Sequence, residues 1–259
     1  MEVCVESIES ARNAVAGGAI RIELCSALSE GGLTPSVGLF KAMKSVINIP
    51  IFVMIRPRSG HFTYNAEDLA AVKYDAEIFL EAGADGFVFG ALTKDGCVDI
   101  PACQELLEIV ADKPVTFHRA FDWTSNPYDA MEQIITLGFQ RILTSGQQDT
   151  ALNGLSLISD LVEKAENRII IMPGSEMPNA QWDLKMNLKR LHVVTMFVQW
   201  CNHFIPLVRC IRNLDLHILR ECKLPRFMQF RKEIMEKEDA PDSPDILREE
   251  TRRITYIQP

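Results

Sequence analysis

Neither a basic leader nor an apolar signal core precedes the first strand-like run, which starts Met1-Glu2-Val3-Cys4-Val5-Glu6; the cytoplasm is therefore the expected compartment. Long apolar runs are missing too. The most hydrophobic window, His192 to Val208, is broken by Gln199, Asn202 and His203 and falls short of the roughly 20 apolar residues of a membrane-spanning helix, so no membrane partner is expected. Positive charge is scarce: 27 Lys and Arg face 35 Asp and Glu, a net charge of -8. That balance argues against a general phosphate-binding surface, hence against nucleic acid as a partner. The seven cysteines (Cys4, Cys25, Cys97, Cys103, Cys201, Cys210, Cys222) are odd in number and lack framework spacing, which points to free thiols or metal ligands in a reducing compartment rather than a disulfide scaffold. No Gly-x-Gly-x-x-Gly opens the first helical window, which begins Glu6-Ser7-Ile8-Glu9-Ser10, so the dinucleotide-binding open sheet loses its main signature.

What is present is a repeating unit. Strand-like runs at Glu2–Glu6, Ile20–Leu24, Ile51–Arg56, Gly86–Gly90, Val115–His118, Arg141–Thr144 and Arg168–Met172 alternate with helical windows at Ser7–Ala16, Val37–Val46, Ala66–Glu81, Ala102–Ala111, Pro127–Leu137 and Leu152–Ala165. Strands alternating with helices on short loops demand parallel pairing and right-handed crossovers. With 259 residues, 47% of them hydrophobic, the chain suits one large core, and the expected fold is α/β, a TIM-like (β/α) barrel with its working face at the strand C-terminal ends.

Side chains alternate across a strand, and the face covered by helices must be apolar. Val3 and Val5, Ile20, Ile22 and Leu24, and Ile51, Val53 and Ile55 therefore face outward. Cys4 and Glu6, Arg21, Glu23 and Cys25, Phe52, Met54 and Arg56, and Thr116 and His118 are left to line the lumen.

Two chemistries follow. Cys4 and Cys25 lie on neighbouring strands with the same parity, about 4.8 Å apart in strand spacing, so both sulfurs can address one ion. Cu(I) is the soft ion that accepts two sulfur ligands, with the Met54 thioether to assist, whereas Zn(II) wants four. The competing reading is that both thiols simply pack the core. Glu23, Arg56 and His118 form the second set, an acid/base pair with an anion clamp for a barrel enzyme acting on a small anionic substrate, against the reading of a polar network filling the lumen. Arg119 and Asp122 beside His118 add little, because that arrangement occurs in many loops. Ser29-Glu30-Gly31-Gly32-Leu33-Thr34-Pro35 reads as a tight connection rather than a phosphate cradle, since it lacks the P-loop Lys-Ser/Thr pair. Cys201, His203, Cys210, His217 and Cys222 match no zinc-finger spacing.

Five ordered segments resemble the CutC copper homeostasis family: Glu2–Ser7, Arg21–Ser26 continuing through Glu30–Ser36, Phe52–Arg58, Val115–Asp122 and Arg141–Gly146. The similarity runs nearly continuously over residues 1–174. It implies a TIM-like barrel, a cytoplasmic and also nuclear location, homo-oligomeric assembly, a role in copper tolerance or trafficking, and Cu(I) held by Cys4 and Cys25. No settled reaction accompanies it, so the enzyme question stays open. After Met172-Pro173 the family's triple-glycine loop, helix and eighth strand are not recognisable beyond Gly174. Residues 175–230 read as a divergent, partly helical segment with a substitute strand at 192–198. Residues 231–259, with six basic and eight acidic residues plus Pro241 and Pro244, read as a charged, partly disordered tail. A missing eighth strand would leave unpaired edges on strands 1 and 7.

Overall fold

A computed structural model of the chain describes residues 2–174 and 195–196. Strands and helices alternate as β1 (Glu2–Val5), α1 (Ile8–Ala16), β2 (Arg21–Leu24), α2 (Val37–Lys44), β3 (Ile51–Met54), α3 (Ala66–Glu81), β4 (Gly86–Phe89), α4 (Ile100–Val110), β5 (Val115–Phe117), α5 (Pro127–Leu137), β6 (Arg141–Thr144), α6 (Leu155–Ala165), β7 (Ile170–Pro173) and β8 (Thr195–Met196). All pairings are parallel, in the order β7-β6-β5-β4-β3-β2-β1-β8. This is the α/β barrel wall expected from the alternation. β8 lies inside the 192–198 window and pairs through Glu2↔Thr195 and Val3↔Met196. β7 has no outer partner among the described residues. The expectations for the rest of 175–230, for the tail 231–259 and for the Cys201 to Cys222 group lie outside the described residues.

Local chemistry sets the helix starts. Ser7, Ser36, Asn65, Asp99 and Asn126 each accept a backbone N–H of the first turn of α1 to α5, removing donors that the helix cannot satisfy itself. Pro101 and Pro127 occupy first-turn positions, where a missing N–H costs nothing. The C-terminus of α5 closes on Gly138 at φ 94°, a backbone state that favours glycine.

Alternation then divides the buried residues into two clusters. Val3, Val5, Ile22, Leu24, Ile51, Val53 and Ile55 belong to the outer core, with Phe40, Phe79, Leu106, Ile134 and Ile158 from the helices. Each such side chain stabilises the fold by about 1.5–3 kcal/mol. Cys4, Cys25, Phe52, Met54 and Val88 form a separate inner cluster, against which Leu28 packs. Toward the strand N-termini, Arg21 pairs with the buried Glu2 carboxylate. The guanidinium carbons of Arg21 and Arg141 lie 4.8 and 5.1 Å from the Phe52 ring centroid. Gly86 makes room for that ring, since a Cβ there would lie 2.5 Å from Phe52 Cζ.

Candidate functional site

The strand ladders end at Val5, Leu24, Met54, Phe89 and Phe117. Glu6, Cys25, Arg56, Gly90 and His118 therefore stand just beyond them, where loops begin and backbone hydrogen bonding still continues: Cys25 N donates to Val5 O, Ile55 N to Val88 O and His118 N to Phe89 O. This is the C-terminal mouth of the barrel wall, where side chains from different strands converge.

Register decides how the two thiols relate. Cys4 lies opposite Glu23, not opposite Cys25, which is two residues further along β2. A lateral step of about 4.8 Å and a two-residue rise of about 6.6 Å separate their Cα atoms by about 8 Å. The cysteines are diagonal neighbours rather than the directly adjacent pair that parity alone allows. That span is too long for a disulfide without backbone movement. It does not prevent two sulfurs from meeting an ion through bonds of about 2.3 Å each, the zinc–thiolate value.

Both thiols are buried, with Cys4 2% and Cys25 0% exposed. Cys4 Sγ donates to Glu23 Oε1 at 3.1 Å, and Cys25 Sγ to Val5 O at 3.6 Å. Burial first, then the Glu23 carboxylate, pushes both thiols well above their ordinary range, so each holds its proton. Burial also raises Glu23, with Glu2 reinforcing the effect, to about 8. Burial thus disfavours the Glu23 anion. Gly32 closes the pocket from the β2–α2 loop: a Cβ there would touch Cys25 Cβ and Met54 Cε, each at 3.4 Å. The glycine-rich loop is a tight connection, held by the Ser26–Leu33 bridge.

Arg56 has a different job from a free clamp. Its Nη1 donates to Glu30 O at 2.8 Å and Gly32 O at 3.1 Å, and its Nη2 to Gly60 O at 2.9 Å. It thereby ties the loops after β2 and β3 together. His118 is buried, and its Nδ1 accepts the Ala120 N–H at 3.2 Å. Burial, and secondarily the nearby Arg56 charge, depresses its pKa to about 3. Glu23, Arg56 and His118 thus all line one inner face, but Glu23 contacts Cys4 whereas Arg56 and His118 form a neighbouring pair.

Asp122 is the residue whose role the sequence reading undervalued. Its carboxylate accepts from Arg119 Nε at 2.8 Å, Ser145 N at 3.0 Å, Ser145 Oγ at 3.0 Å and Gln147 N at 3.2 Å, and from Thr144 Oγ1. The loop after β5 is thereby fastened to the end of β6. The only local signal was a buried-type Phe-Asp run beside an arginine. Among the described residues, no cluster of three or more His, Cys, Asp or Glu is arranged to hold a metal, which leaves the two thiols and Met54 as the soft donor set. No helix among the described residues is long and apolar enough to cross a membrane.

Comparison with known proteins gives concordant findings. The model of the CutC family matches residues 1–192. A Homo sapiens copper homeostasis protein cutC homolog is 55% identical over 174 residues, 67% of this chain and 64% of that protein. Its Mus musculus counterpart is 53% identical over the same shares of both chains. The match thus spans less than two thirds of the length of these relatives. The solved structure of a Streptococcus agalactiae CutC covers 75% of this chain and 96% of its own at TM-score 0.69 and 32% identity.

Proposed function

Because this chain belongs to the CutC family, we propose that it serves copper homeostasis by taking Cu(I) as cargo at Cys4 and Cys25, with the Met54 thioether assisting. The observation that carries the reading is the enclosure of two thiols and a thioether in one buried cluster, since soft, low-coordinate donors select a soft monovalent ion. Hard divalent cations find no cluster of oxygen ligands among the described residues.

Burial works on both sides of this chemistry. It keeps the apo thiols protonated, so binding must expel two protons, and it excludes water that would otherwise compete for the ion. Copper affinity accordingly rises with pH, by about two decades per unit when both protons leave. The reading goes with a reducing cytoplasmic or nuclear compartment and a homo-oligomer, checked by cell fractionation and light scattering.

The decisive test is anaerobic titration of Cu(I) against a competing chelator in wild type, Cys4→Ser, Cys25→Ser and Met54→Leu. Each serine variant loses competitive binding, and Met54→Leu weakens it. Equal binding by wild type and the Cys4→Ser, Cys25→Ser double variant would end the proposal.

A further inference from the structure

Arg56 and His118 stand on either side of Gly90, whose missing side chain leaves room for the His118 ring. The register Met54↔Val88↔Thr116, carried on by the bonds from Ile55 N and His118 N, places Gly90 between them. A Cβ on Gly90 would lie 2.7 Å from His118 Nδ1. Because Nδ1 accepts the Ala120 N–H, the neutral ring carries its own proton on Nε2. That Nε2 is buried and meets no acceptor. Arg56 Nε is in the same condition, since its two terminal nitrogens already serve backbone carbonyls.

The Arg56 guanidinium meets only neutral oxygens, three backbone carbonyls and the Tyr64 hydroxyl, so this charge has no hydrogen-bonded counter-ion. The Phe62 ring, half-buried on the loop after β3, lies 4.8 Å from Arg56 Cζ and 4.9 Å from the His118 ring. It covers both groups at once. Buried donors without acceptors are uncommon in folded proteins and call for a specific partner. A guanidinium with no hydrogen-bonded carboxylate, beside a neutral imidazole, matches a single negative charge with oxygen acceptors.

We propose that Arg56 Nε–H and His118 Nε2–H form a binding site for one small monocarboxylate, whose oxygens accept from both donors, with Phe62 as the cover that the ligand moves aside. The site is distinct from the thiol cluster and does not depend on the copper reading. A dianion fits it less well, because the neighbouring Arg58 is already paired with Asp68, which leaves one guanidinium for the ligand.

The test uses the full chain and sodium acetate as probe, against sodium chloride at equal ionic strength to remove screening effects, with inorganic phosphate as comparison. Calorimetry and the Arg56 Nε–H nuclear resonance are the readouts. Acetate produces a saturable heat and shift in wild type, and Phe62→Ala binds it more tightly. His118→Asn keeps an acceptor for the Ala120 N–H but, with its NH2 set back from the Nε2 position, places no donor there, and weakens binding about tenfold, the worth of one hydrogen bond near a charge. Should that variant fail to melt cooperatively, wild type and Phe62→Ala decide the matter alone. Acetate indistinguishable from chloride in both proteins overturns the proposal, as does phosphate binding as tightly as acetate. Acetate binding survives Cys4→Ser, and Cu(I) binding survives His118→Asn, so the two readings fail separately.

Discussion

His118 should make this protein acid-sensitive well above the pH at which carboxylates alone would do so. Burial, assisted by the Arg56 charge, holds its imidazole neutral down to about 3, whereas the unfolded chain protonates it near 6.5. Between those values the unfolded state binds a proton that the folded state refuses. The stability contribution is therefore complete above about 6.5 and is lost as pH falls toward 3, at about 1.4 kcal/mol per pH unit. Moving from pH 6.5, where the unfolded imidazole is already half protonated, to 4.5 removes roughly 2.3 kcal/mol, a large share of the 5–15 kcal/mol typical of a domain. Urea unfolding of wild type and His118→Asn at intervals from pH 7 to 4.5 measures it. Other titrating groups are common to both proteins and cancel in the difference. A wild-type-minus-variant difference that stays constant over this range would refute the reasoning, because it would mean that His118 already carries its proton or meets water in the folded state.

Gly86→Ala should destabilise the wall by about 1–3 kcal/mol, since its Cβ would meet Phe52 Cζ at 2.5 Å and the ring is held between neighbours that include Arg21 and Arg141; Phe52→Leu in the same chain should return part of that loss in thermal melts. Asp122→Ala should cost about 1–3 kcal/mol, because it strands the Ser145 and Gln147 N–H donors while Arg119, partly exposed, turns to water, and hydrogen exchange at the Ser145 and Gln147 amides should quicken. Unchanged exchange there would show that the loop after β5 does not depend on this carboxylate.

Much of the architecture was legible because its signals are local. Alternation at Val3-Cys4-Val5 and Ile22-Glu23-Leu24 separates the helix-covered face from the inner face without any knowledge of partners, and Ser7, Ser36, Asn65, Asp99 and Asn126 mark helix starts by their own chemistry. The barrel wall, the inward thiols and the inward Arg56 and His118 all follow from that. Relations across the fold were not legible in this way. Alternation says that Cys4 and Cys25 face one side, yet the neighbour that Cys4 meets is Glu23, because register is set by how whole strands pack and not by either strand alone.

The same division separates what each level of description determined. By itself the sequence determined the periodicities, and so the order of elements, the inner and outer faces and the set of polar groups brought to the strand ends. Tertiary structure alone decided that Arg56 fastens two loops, that Asp122 anchors the end of β6, that burial raises the Glu23 carboxyl, and that Phe62 lies over both Arg56 and His118. Those outcomes depend on contacts and dielectric surroundings created by residues distant in the chain, which no local pattern encodes.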